Sequence, residues 1–111
     1  MDEALKQHER AVELFYVYKG ILTPSMQEVY SDYYCYDLSL SEISGNRHIS
    51  RSAVSDSLKK SLQKMEKIEK SVGYLEKKKH LNELVKDIEK ADEDKKNRAI
   101  EALGEYVKNG L

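Results

Sequence analysis

Apolar residues return along this chain at intervals of three and four, the period of an α-helix, from one end to the other. In the first segment, residues 2–19, Leu5, Val12, Phe15 and Tyr18 share one helical face, and Gly20 reads as a C-terminal stop. The run Leu14-Phe15-Tyr16-Val17-Tyr18 is too apolar for a solvated face, so it predicts docking into a core or against a second copy of the chain. Thr23 and Pro24 suit the cap and first position of a second helix, residues 24–34, with Met26, Val29, Tyr30 and Tyr33 as its buried stripe. The third helix, residues 40–46, opens on Ser39 and Glu42, which match a capping box, and turns Leu40 and Ile43 inward.

Gly45-Asn46 interrupts that pattern, and Ser50 caps a fourth helix. Val54, Leu58, Leu62, Met65, Ile68, Val72 and Leu75 carry the apolar stripe onward, with no strong breaker before Gly73. Positions 58, 65, 68, 72 and 75 approximate a heptad seam in which Ser61 is a gap, and such a seam needs a partner. Two further stripes follow: Leu81, Leu84, Val85, Ile88 and Ala91, then Ala99, Ile100, Leu103, Tyr106 and Val107. Asp92-Glu93-Asp94 gives the last of these an acidic start that suits a helix N-terminus.

Two short helices, a short turn and a longer helix form a helix-turn-helix. The chain is therefore read as all-α. A helix-turn-helix domain occupies residues 1–64, and residues 65–111 are a helical extension for dimerisation or partner binding. Small Ser44 lets the two helices cross closely, Ile49 fills the space beneath the turn, and Val54 and Leu58 anchor the second helix from below. The opposite face is left to polar residues.

Composition narrows the class. Of 111 residues, 35% are charged and 40% hydrophobic at a net charge of -1, which suits a folded helical chain rather than a disordered one. Charge is unevenly spread, at -4 over residues 1–38, +5 over 39–79 and -2 over 80–111. A basic middle between acidic flanks points to a polyanion-binding face, and the same asymmetry also arises in Lys-rich helices. The first segment carries charges throughout and no stretch is apolar enough to span a membrane, so the expected location is the cytoplasm. The single cysteine, Cys35, has no internal disulfide partner.

Catalytic signatures are not found. His8, His48 and His80 fall in three different segments and Cys35 joins none of them at metal-ligand spacing. No phosphate loop, nucleophile elbow or H-E-x-x-H occurs. The sequence predicts no catalytic residue, no metal and no cofactor. A recognition helix enters the major groove N-terminus first, so its first two turns meet bases and phosphates. The candidate contacts are therefore Ser50, Arg51, Ser52, Ser55 and Lys59, with Arg47 and Lys60 adding electrostatic attraction. Asp56 opposes phosphate unless it pairs with Lys59 or Lys60.

The residues Leu22-Thr23, Gln27, Tyr33-Tyr34 and Asp37-Leu38-Ser39-Leu40-Ser41-Glu42-Ile43, followed by Ile49-Ser50-Arg51 and Ala53-Val54, resemble region 4 of bacterial sigma factors. More closely, they resemble the YlxM family of helix-turn-helix proteins encoded beside signal-recognition-particle genes. The likeness extends upstream to Leu14-Phe15 and downstream to about Lys90. It implies an accessory or regulatory role in the signal recognition particle pathway, with the particle's protein, its RNA, or DNA as target. The family usually places an apolar residue and then Gly just before the position of Ile49, where this chain has Arg47 and His48. That departure predicts a turn re-formed around Gly45-Asn46. The leading expectation is a nucleic-acid-binding protein. The alternative is an adaptor that docks on protein partners through the module and the long helix, and a homodimer is one way to bury the seam.

Overall fold

The structure, a computed structural model, describes residues 2–110 and is all-α. Six α-helices are described: α1 (Glu3–Tyr18), α2 (Pro24–Tyr34), α3 (Leu40–Arg47), α4 (Arg51–Val72), α5 (Tyr74–Lys90) and α6 (Glu93–Lys108). A 3-10 turn, Lys19–Ile21, links the first two. The chain divides into two compact units between Val72 and Gly73.

In the first unit, local chemistry sets each helix start. The Asp2 carboxylate accepts from the amide of Ala4 at 3.3 Å. Thr23 Oγ1 accepts from Met26 at 3.2 Å, with Pro24 at the first helical position. Ser39 and Glu42 form the full capping box, at 3.1 and 3.0 Å. Hydrogen bonds to the Glu42 carboxylate, from the backbone amide of Ser39 and then from its hydroxyl, hold it below the ordinary carboxylate range.

α4 packs across α1, α2 and α3, and the core lies beneath it. Leu14, Val29, Tyr30, Ile43, Val54 and Met65 are closed to solvent. Tyr30 is tolerated there because its hydroxyl donates to the carbonyl of Ala11 at 2.8 Å. Burial raises its phenol far above the ordinary range. Phe15 stacks on Tyr30 with ring centroids 5.0 Å apart.

Three details differ from the sequence expectation. The buried face of α1 is Ala11, Leu14, Phe15 and Tyr18, whereas Leu5 is 47% exposed, because the helix's first turns project beyond the core. Gly20 is not a left-handed stop; the chain passes through it in the 3-10 turn. The seam of α4 also takes another course. Its buried positions are Val54, Leu58, Ser61, Met65 and Glu69, while Val72 is 51% exposed and Leu75 belongs to α5. Ser61 thus continues the seam and is closed to solvent. Glu69 is buried because the Tyr18 hydroxyl donates to its carboxylate.

Gly73 ends α4 in the left-handed region, at φ 66, a conformation that costs an L side chain about 1–2 kcal/mol. The second unit follows. α5 and α6 pack on each other as a helical hairpin joined at Ala91-Asp92, and Asp92 caps α6 by accepting from Lys95 at 3.0 Å. His80 and Tyr106 bring their rings to 4.5 Å. Leu81, Leu84, Ile88, Leu103 and Tyr106 are half-buried, while Val85, Ile100 and Val107 are exposed.

Candidate nucleic-acid interface

The turn that aims α4 is closed by a short bonded segment after Arg47. α3 does not stop at Gly45-Asn46; it runs through both to Arg47. The left-handed residue is His48, at φ 56 and ψ 42. The turn therefore sits where the resembled family has its glycine, with histidine in that conformation, and it is not re-formed around Gly45-Asn46. The amides of His48 and Ile49 both donate to the carbonyl of Ser44, the second at 3.2 Å. The Ser44 hydroxyl donates to the carbonyl of Ile49. Ile49 itself is 38% exposed and only partly fills the space beneath the turn. Ile43 and Val54, both closed to solvent, and Leu58 do the anchoring.

α4 then begins with Ser50 Oγ accepting from the amide of Ala53 at 3.0 Å. Ser50, Arg51, Ser52, Ser55, Lys59 and Lys60 are all exposed. Arg51, Ser55 and Lys59 stand at i, i+4 and i+8, so one line along α4 carries them, with Ser52 beside it. Arg51 reaches back to α3, its guanidinium donating to Ser41 Oγ at a long 3.4 Å. Among the described residues, neither Arg51 nor Lys59 is paired with a carboxylate. Lys60 is paired, with Asp56 at 2.9 Å, which also neutralises the acid on this stretch.

Arg47 is held apart from this line. Its Nε and Nη2 donate to the two oxygens of Asp32 at 2.7 and 3.2 Å, and Nη1 donates to Glu28 at 2.7 Å. The bond to Asp32, more than any other contact, pushes its pKa still higher. This fork ties the end of α3 to α2 and leaves Arg47's charge already matched. Glu28 and Asp32, four apart on one face of α2, were the sequence signal for a basic partner. Ser41, on α3, is a polar neighbour of the candidate face that sequence spacing did not single out.

The arrangement is a helix N-terminus that presents serine hydroxyls and two cations on one exposed line, above an apolar anchor. No helix among the described residues is long and apolar enough to cross a membrane.

Residues 5–105 match the profile of the UPF0122 family, described as "Putative helix-turn-helix protein, YlxM / p13 like". A UPF0122 protein of Listeria welshimeri is 36% identical over 98 residues, covering 88% of this chain and 84% of that protein. One from Mycoplasma capricolum is 36% identical over 95 residues, 86% of this chain and 83% of that protein. A third, from Malacoplasma penetrans, is 41% identical over 58 residues, 52% of this chain and 54% of that protein. The chain belongs to the UPF0122 family of YlxM / p13-like helix-turn-helix proteins.

Proposed function

We propose that this is a non-enzymatic, cytoplasmic nucleic-acid-binding protein of accessory or regulatory role, with the exposed start of α4 as its contact surface. One observation carries the reading. Arg51 and Lys59 are exposed on one helical line with Ser52 and Ser55, and among the described residues no carboxylate pairs with either cation. Arg51 lies where a base edge or a phosphate is met, Ser50 and Ser52 lie at the helix's amide end, and Lys59 follows the backbone. Arg47 is a positioning residue in this reading: it fixes the α3–α4 turn through Asp32 and leaves the polymer to its neighbours. Lys60 adds long-range attraction once Asp56 is accounted for.

The test is a titration of duplex DNA and structured RNA at several salt concentrations. Binding weakens steeply with salt, and Arg51→Ala and Lys59→Ala each lower the salt slope by about one. No binding to either polymer at low salt removes the reading.

A second reading draws on another observation, the exposure of Val85, Ile100 and Val107 on the helical hairpin. That surface supports a protein contact, either a second copy of the chain or the protein of the signal recognition particle, the pathway the family resemblance implies. Complex formation lost in Ile100→Asp but kept in Arg51→Ala favours it.

A further inference from the structure

The candidate face of α4 does not end at Lys59. Positions 55, 59, 62 and 66 are spaced at four, three and four, so Leu62 and Glu66 continue the same face toward the C-terminus. From Ser55 to Glu66 the helix rises about 16 Å. Where this face meets α1 and α2 there is a cavity of about 470 Å³. Its volume lies within the roughly 300–1,000 Å³ of ligand sites.

The walls are of unusual chemistry for a helical core. Tyr33 and Tyr34 come from α2, and their rings stand edge to face at 4.9 Å. His8 comes from α1 and its ring lies 5.5 Å from that of Tyr34. Leu62 supplies an apolar surface from α4. The polar side is a fixed one. Arg10 Nε and Nη2 donate to the two oxygens of Glu66 at 3.0 and 3.2 Å, and Gln7 brings an amide to the same wall. Tyr33, Tyr34 and His8 are only half-buried, although aromatic residues of a three-helix core are expected to close.

The geometry points to this cavity as the seat of an unpaired base, carried by the nucleic acid whose backbone follows Arg51 and Lys59. Aromatic rings give a flat base a stacking surface, and the Gln7 amide and the Arg10–Glu66 pair give its edge donors and acceptors. A phosphate chain lying along Arg51, Ser55 and Lys59 leads to the cavity with only about 5–10 Å of helix rise left to cross. A fully paired duplex keeps its bases stacked and leaves the cavity unfilled. The inference rests on the proposed nucleic-acid face, and it names the feature of the polymer that this face selects.

The test uses the full chain and a hairpin RNA carrying one bulged 2-aminopurine, with a fully paired RNA and the matching bulged DNA beside it. The bulged hairpins bind roughly 5- to 150-fold more tightly than the paired one, the range that stacking one base is worth. The 2-aminopurine emission falls on binding. Tyr33→Leu, a half-exposed position, abolishes the preference and leaves affinity for the paired RNA unchanged; His8→Ala does the same by a second route. A preference in RNA alone names RNA as the carrier, and a preference in both polymers names the base itself. Equal affinity for bulged and paired RNA, with unchanged emission, overturns the base site and leaves the proposed function standing. Failure of all three polymers to bind at low salt overturns both.

Discussion

Moving the glycine of the turn tests where the turn is. Gly45 lies inside α3, and a methyl added there meets no atom within 4 Å. Its backbone is not left-handed. Gly45→Ala therefore gains helix propensity with nothing to displace, about 0.5–1 kcal/mol. His48 is the reverse case. It is exposed, so little packing is lost with its ring, and it holds φ 56. That conformation costs an L residue about 1–2 kcal/mol, partly offset by the unfolded-state entropy that glycine adds, so His48→Gly gains about 0.5–1 kcal/mol. Each gain amounts to a rise of roughly 2–8 °C in melting temperature for a domain of this size. Urea and thermal unfolding followed by circular dichroism read both. If the turn lay at Gly45-Asn46 instead, Gly45→Ala would place a side chain in left-handed backbone and lose about 1–2 kcal/mol. A loss on Gly45→Ala, or no gain on His48→Gly, refutes the placement of the turn.

Substitutions at three other positions probe the first unit. Arg47→Ala strands Asp32, whose side chain is 15% exposed, and lowers stability by about 1–2 kcal/mol; Arg47→Lys recovers only part, because an ammonium cannot fork onto both oxygens. Neither variant changes the salt slope of nucleic-acid binding by the full unit expected at Arg51, a comparison made in the same titration. Ser61→Ala raises stability by about 1 kcal/mol, read as a higher urea midpoint, since the Ser61 hydroxyl is buried and has no hydrogen-bond partner among the described residues. Glu42 gives a pH dependence of known sign. Its folded carboxyl is held below the unfolded value, so its contribution is complete above the unfolded carboxylate range and is lost as pH falls through the folded value. Urea midpoints measured from neutral to acid pH fall less for Glu42→Gln than for the wild type.

Much of the fold was legible because it was written in local chemistry. Thr23-Pro24, the Ser39–Glu42 box and Ser50 start the helices where the sequence placed them, whereas the expected seam ran on past Gly73 to Leu75. The misreadings share one cause, which is that long-range contacts override local preference. Gly45-Asn46 carries the stronger turn signal, yet Ile43 and Val54 must both reach the core, and this moves the turn to His48. Glu69 lies off the seam that the spacing gives, and it is buried where Tyr18, 51 residues away, donates to it. Arg47 looks like a phosphate contact until Asp32 and Glu28, 15 and 19 residues away, claim it. Arg51, Ser52, Ser55 and Lys59 are exposed, as their helical period assigned, because that period is local and this face of α4 is the one opposite buried Val54 and Leu58.

The contact surface is tested most directly by mapping amide chemical-shift changes on the isotope-labelled chain as nucleic acid is added at low salt. Changes concentrated on Ser50 to Lys59, with α5 and α6 unmoved, are the expected result. Changes confined to Tyr74–Lys108, with the start of α4 silent, contradict the assignment of the face.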